Sequence, residues 1–217
     1  MTDMPVVRAV GDSALLIDFG ERIDKAINAR VVALDRALAA SPPPGLIETV
    51  PAYCSLLIEY DPLVTTQAEL ASAAMALAQT ARAGTVAGRE HVVPISFVDA
   101  PDLARVAEQT GLSPAAAISA FLAGCYRVFM YGFAPGYAYM GGVPPALHLP
   151  RKPVAERGHP VGSVIIAGPQ CLITTLPMPT GWWVIGRTPL MVLDPLGERP
   201  FRFDPGDTIR FERMPPE

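Results

Sequence analysis

The chain has 217 residues, 50% of them apolar and 18% charged, which is material for one large domain or two small cores. A net charge of −4 with no basic stripe excludes nucleic acid as an expected partner. Cys54, Cys125 and Cys171 stand far apart with no CxxC or Cys/His cluster, so neither a disulfide framework nor a metal site is expected. Cys54 and Cys125 are expected to be buried, reduced thiols of a cytoplasmic protein. The opening Met-Thr-Asp-Met-Pro lacks the basic and apolar regions of a signal peptide, and none is expected.

Taken in chain order, Val6–Val10 and Ser13–Phe19 predict a hairpin across Gly11-Asp12. Asp24 is placed to cap a helix reaching about Ala40, with Ile27, Val31, Leu34 and Leu38 on one face, and Ser41-Pro-Pro-Pro-Gly45 stops it. Strands are predicted over Ile47–Val50 and Cys54–Tyr60. Thr66-Gln-Ala-Glu69 then forms a capping box opening a helix to about Ala83. The order ββαββα predicts a small two-layer α+β domain over 1–84, with two halves patterned like an internal duplication.

Gly84–Arg89 reads as a linker, and a second domain is expected over 90–217. His91–Phe97 predicts a strand. Asp99-Ala-Pro-Asp102 starts a helix ending at Gly111, and Ser113-Pro114 caps another ending near Gly124. Short β-like runs follow at Ser163–Ala167, Leu172–Thr175, Trp182–Ile185, Leu190–Leu193 and Thr208–Phe211. Gly/Pro turns separate them, including Pro205-Gly-Asp207, a pattern that predicts a closed or nearly closed β-barrel.

Between Gln109 and Pro150 the single formal charge is Arg127, and the stretch contains Tyr131-Gly-Phe-Ala-Pro-Gly-Tyr-Ala-Tyr-Met-Gly-Gly. Glycine and proline interrupt any apolar run of about 20 residues, so the segment is expected to line a rigid protein wall rather than span a membrane. Past it, His148 and Arg151, with Lys152 beside them, read either as a carboxylate or phosphate clamp with a titratable partner or as ordinary surface charges. Gln170 could present its amide to a polar ligand. Cys171 as a nucleophile would need a base and a lowered pKa that the sequence does not supply. Trp182 and Trp183 alternate in a strand, which sends one inward and the other toward a groove. Arg187-Thr188 reads as an anion contact or a rim ion pair, while His91 and His159 read as structural. No GxxxxGK[ST], GxGxxG, HExxH or GxSxG motif occurs.

Several segments together resemble the family of the B-type subunit of 5-oxoprolinase, also described as KipI-type kinase inhibitors or allophanate hydrolase subunit 1. They are Gly11-Asp-Ser-Ala, Gly132-Phe-Ala-Pro-Gly-Tyr-Ala-Tyr-Met-Gly, Leu147-His-Leu-Pro-Arg151, Gly162-Ser-Val, Gly168-Pro-Gln170, Gly181-Trp182, Ile185-Gly-Arg-Thr188 and Pro205-Gly-Asp207. They run in family order from end to end of the chain. The resemblance implies an N-terminal α+β domain followed by a cyclophilin-like β-barrel, and a relation to the carboxyltransferase half of urea carboxylase. It implies a C-type partner subunit with a similar barrel, and a third, LamB-type subunit. With them the complex would open the lactam 5-oxo-L-proline to L-glutamate using ATP shared with the partner subunits, with no metal site in this chain.

On this resemblance the barrel pocket would contain Tyr131, Phe133, Tyr137, His148, Arg151, Gln170, Arg187 and Thr188. Arg151 or Arg187 would hold a carboxylate, His148 would move protons or orient water, and the aromatics would exclude solvent. The chain departs from the family pattern at Cys171, Leu172, Thr174 and Thr180, expected to reshape one wall of that pocket. The resemblance leaves two other readings: inhibition of a sensor histidine kinase, and a component of urea carboxylase or allophanate metabolism.

Overall fold

The computed structural model of the chain describes residues 4–81, 88–98 and 100–215. The backbone divides into two compact units at Ala87/Gly88. The linker residues 84–87, the predicted helix end at Ala83 and Asp99 lie outside the described residues.

In the first unit β1 (Val6–Val10) and β2 (Ala14–Asp18) form the hairpin, and Gly11 takes the positive φ of 64° that its turn requires. Helix α1 (Lys25–Ala40) starts where Asp24 Oδ1 accepts the N–H groups of Ala26 and Ile27 at 2.7 and 3.1 Å. After β3 (Leu46–Pro51) and β4 (Ser55–Tyr60), the capping box is present. Glu69 N–H donates to Thr66 Oγ1, and Thr66 N–H donates to Glu69 Oε2 at 2.9 Å. Helix α2 (Gln67–Thr80) follows it.

The sheet order is β1-β2-β4-β3, antiparallel throughout. Each ββα half thus puts its second strand at the centre and its first at an edge. Leu15, Ile17, Leu34, Leu38, Leu56 and Ile58 are fully buried between sheet and helices. Burial of each side chain contributes about 1.5–3 kcal/mol. Asn28, the polar residue on the buried face of α1, donates its Nδ2–H to Ala52 O at 3.1 Å and so pins the β3–β4 turn.

The second unit contains β5 (Glu90–Ile95), α3 (Leu103–Thr110), α4 (Pro114–Leu122), β6 (Tyr126–Tyr131) and β7 (Ala138–Gly141). A 3-10 turn at Pro145–Leu147 leads to β8 (Ser163–Ala167), β9 (Gln170–Ile173), β10 (Trp183–Arg187) and β11 (Thr208–Arg213). The strands form one sheet in the order β10-β8-β9-β7-β6-β11-β5, antiparallel except for the β11–β5 pair. Just past β5, Ser96 exchanges two backbone hydrogen bonds of 2.7 and 2.8 Å with Arg187 of β10, which joins the two edges into a barrel. Gly186 permits this seam, because a Cβ there would lie 2.7 Å from Ile95 Cδ1 and 2.9 Å from Ser96 O.

The barrel interior is filled, not hollow. Val164, Ile166, Cys171, Ile173, Trp183 and Ile185 point into it from β8, β9 and β10. The rings of Phe121 of α4, Tyr126 and Phe211 meet at 5.0–5.1 Å in the same core, and Tyr126 Oη–H donates to Phe121 O.

Three expectations change, and two strands appear that the sequence did not predict. The uncharged Gly/Pro/aromatic segment contributes two strands, β6 and β7, that its glycines and aromatics disguise. Leu190–Leu193 is not a strand; flanked by Pro189 and Pro195, it makes one bridge, Leu193 to Phe201. Asp102 precedes α3 but makes no side-chain cap, because its carboxylate is turned to other partners. Cys125 is exposed and Cys54 half-buried, both at turns beside strand starts, whereas Cys171 is the buried thiol. Among the described residues no helix is long and apolar enough to cross a membrane.

Candidate functional site

Strand alternation gives the barrel sheet a second apolar face. Opposite the filled interior, Ile165 and Ala167 of β8, Leu172 of β9 and Val184 of β10 gather with Tyr137 and Trp182 on the outer side. Trp183 faces inward and Trp182 outward, the division that their adjacency predicts. The loop ending β6 and the segment before β10 rise over this outer face and enclose a cleft of about 140 Å³. Phe133, Tyr137, Tyr139, Arg151, Thr180 and Trp182 supply its walls, with Ile165 and Leu172 beneath.

Arg151 is exposed, with its Cζ 5.6 Å from the Trp182 ring centroid, and pairs with no carboxylate among the described residues. Tyr139 also meets the Trp182 ring, edge-on at 5.9 Å. Burial pushes the Tyr137 and Tyr139 hydroxyls above the usual phenol value, and the Arg151 charge pulls Tyr139 partly back. Both phenols therefore stay neutral at pH 7.

Phe133 has a φ of 66°, the one positive φ outside glycine among the described residues, and is 78% exposed. Ala134 N–H donates to Gly132 O at 2.8 Å, which closes a γ-turn centred on Phe133. A left-handed aromatic costs about 1–2 kcal/mol, and such strain collects at working surfaces. The turn brings the Phe133 ring to 6.1 Å from that of Tyr137. The result is an aromatic slot with one guanidinium that has no carboxylate partner among the described residues, a combination that can take a small apolar ring carrying an anionic group.

The structure divides the residues that the sequence grouped as one barrel pocket. Phe133, Tyr137 and Arg151 come together, on the outer face of the sheet. Tyr131 turns away: its hydroxyl donates to Phe203 O, and its ring stacks near Phe201 at 4.9 Å. His148 is exposed outside the cleft lining and donates Nε2–H to Val143 O at 2.7 Å. Gln170 sits at the β8–β9 turn, lining neither this cleft nor the one that holds Arg187. Thr188 is buried, with its Oγ1 accepting from Leu190 N–H. Arg187 lines the separate cleft.

Lys152, beside Arg151 in sequence, is no part of the cleft wall. It is buried and donates to Asp102 and Glu156, each at 2.8 Å. Of the four departures from the family pattern, Leu172 and Thr180 line the cleft. Cys171 points into the barrel interior, and Thr174 Oγ1 bonds Pro160 O and Ser163 N–H. Burial drives the Cys171 thiol far up, the opposite of what a nucleophile needs. Tyr139 and Met178 also line the cleft; Tyr139 lies within the Gly132–Gly141 segment of the resemblance but is not among the pocket residues expected from it, and Met178 lies in no motif. The period-2 alternation with inward Ala138 and Met140 is the signal that places Tyr139 on the cleft side.

A family profile, carboxyltransferase domain, subdomain C and D, matches residues 5–203. The B-type subunit of 5-oxoprolinase from Bacillus subtilis is 34% identical over 99% of this chain and 95% of its own length. The crystal structure of TTHA0988 superposes with a TM-score of 0.85 at 36% identity; the match covers 98% of this chain and 41% of that longer one. The Kluyveromyces lactis urea carboxylase shares the fold, with a TM-score of 0.73 at 19% identity over 97% of this chain and 22% of its own. The chain belongs to the carboxyltransferase-domain family of subdomain C and D proteins, in which the B-type subunit of 5-oxoprolinase stands.

Proposed function

We propose that the chain is the B-type subunit of an ATP-dependent, lactam-opening hydrolase, most simply 5-oxoprolinase, and that it contributes the aromatic cleft to substrate recognition. The observation that carries this reading is the Arg151 guanidinium over Trp182, without a carboxylate partner among the described residues, on the wall of an aromatic slot of about 140 Å³. Arg151 forks onto the carboxylate of 5-oxo-L-proline, while the flat ring lies among Tyr137, Tyr139 and Trp182, which exclude water. Leu172 and Thr180, where the chain departs from its relatives, trim the same slot and select the ring size.

No group that moves protons is assigned to this chain, since His148 lies outside the cleft. Among the described residues no three His, Cys, Asp or Glu side chains gather to hold a metal ion. In this proposal ATP is a co-substrate of the assembled complex. A C-type carboxyltransferase-domain protein and a LamB-type third subunit supply the remaining machinery.

The test is affinity capture from the source cell, followed by reconstitution. Recovery of a C-type carboxyltransferase-domain protein, with ATP-dependent release of glutamate from 5-oxo-L-proline by the reconstituted complex, supports the proposal. Recovery of a sensor histidine kinase in its place, or a complex that consumes urea but not 5-oxo-L-proline, overturns it.

A further inference from the structure

A second cleft, of about 650 Å³, shares no lining residue with the first. It lies between the segment that leads to α3 (Val98, Ala100, Pro101), the segment 157–160 that leads to β8, and the strand residues Ser163, Val184 and Arg187. Its volume falls within the range of small-molecule sites. Two guanidinium groups, Arg157 and Arg187, border it, and neither pairs with a carboxylate among the described residues. In a chain with 21 acidic and 17 basic residues, two arginines without a carboxylate partner among the described residues converge on one concavity.

The backbone is built to bring these groups together. Gly162, at φ 85°, anchors the end of the segment that carries Arg157 and His159. Its N–H donates to Thr174 O at 2.8 Å, and its carbonyl accepts from Thr188 N–H at 2.9 Å. A Cβ at this position would lie 2.4 Å from Thr188 O, so only glycine lets the segment approach the end of β10 this closely. His159 lines the same cleft, and its Nε2, shut off from solvent, has no hydrogen-bond partner among the described residues. A buried nitrogen in that state is uncommon and unfavourable. Rotation of the ring toward an anion in the cleft would supply the missing bond.

We propose that this second cleft is an oxyanion site, in which Arg157 and Arg187 bind a phosphate or carboxylate group and His159 closes on it. The site is independent of the lactam reading of the first cleft, and its test uses no enzyme activity. Phosphate and carboxylate share the recognition chemistry, bidentate acceptance from guanidinium, and the two probes below tell them apart.

The full chain has three histidines, so the His159 imidazole resonance is assignable by comparison with a His159→Gln variant. Titration with inorganic phosphate and, separately, with 5-oxo-L-proline should shift that resonance saturably for at least one probe. Arg157→Gln or Arg187→Gln should weaken that probe about tenfold each. Arg199→Gln, an exposed arginine paired with Asp204, should leave it unchanged. A response to phosphate alone assigns a phosphorylated ligand, and a response to 5-oxo-L-proline alone assigns a carboxylate. Arg157 is exposed, so its variant serves if Arg187→Gln fails to fold, as judged by circular dichroism. If neither probe moves His159 saturably, or if the response survives both arginine substitutions, the proposal is wrong.

Discussion

Lys152 Nζ donates to Asp102 Oδ2 at 2.8 Å, and both side chains are 1% exposed. The same carboxylate accepts from Arg105 at 3.0 Å and from Val184 N–H at 2.8 Å, while Lys152 N–H donates to Gly181 O. One buried carboxylate thus ties the start of α3 to β10 and to the segment that carries Arg151. Removing one member of a buried ion pair leaves the other uncompensated, at about 3–5 kcal/mol. Lys152 keeps Glu156, so Asp102→Ala should cost about 3 kcal/mol, at the low end of that range. Urea unfolding monitored by tryptophan fluorescence checks it; a loss below about 1 kcal/mol would reduce the network to an ordinary surface cluster.

The pH dependence follows from Glu156. Hydrogen bonds from Lys152 and then Arg105 hold its carboxyl down at about 2, against an ordinary value of 4.5. A group with a lowered folded pKa stabilises above its unfolded pKa and loses that contribution as pH falls toward the folded one. Urea midpoints should therefore fall between pH 4.5 and about 2, and Glu156→Gln should flatten part of that fall. Asp207 contributes in the same direction. Burial alone would raise its pKa, but hydrogen bonds from Asp204 N–H, His91 and Arg89 N–H keep it below 3.8. A Glu156→Gln profile parallel to the parent's across this window would show that the ion pairs contribute nothing to folding.

Thiol chemistry separates the three cysteines. An aromatic disulfide reagent should modify Cys125 rapidly, Cys54 more slowly, and Cys171 only after denaturation. In the reconstituted complex Cys171→Ser should retain turnover if the protein remains folded. Rapid native labelling of Cys171, or abolished turnover in a folded variant, would restore the nucleophile reading.

Barrel closure rests on Gly186. Its Cβ in Gly186→Ala would press on Ile95 Cδ1 and on the backbone oxygen of Ser96, and the backbone cannot step aside without opening the seam. Overpacking of this kind costs about 1–3 kcal/mol. Faster amide exchange at Ser96 and Arg187 should accompany the loss; unchanged exchange there would mean that the seam does not hold the barrel.

Much of the first unit was legible because its signals are local. The Asp24 cap, the Thr66/Glu69 box and the Val31, Leu34 and Leu38 stripe each fix an element within a few residues. The barrel was legible as a class, through turn punctuation and the resemblance, but not strand by strand. Gly132 and Gly136 hide the β6–β7 hairpin, and Leu190–Leu193 has β-like composition between prolines that prevent a ladder. The site was legible in kind but not in grouping. Chain proximity suggested that His148, Arg151 and Lys152 act together, whereas burial sends Lys152 to Asp102 and the Val143 carbonyl holds His148. Only long-range pairing decides which face of a strand is the filled interior, and which residues of distant segments meet in one cleft.

The central claim is that Arg151 over Trp182 receives the substrate carboxylate, and steady-state kinetics of the reconstituted complex test it most directly. Arg151→Gln should raise KM for 5-oxo-L-proline by about tenfold or more, the worth of a lost charge-assisted hydrogen bond, with KM for ATP unchanged. If KM for 5-oxo-L-proline is the same in both complexes, the carboxylate does not bind at Arg151 and the assignment of this cleft is contradicted.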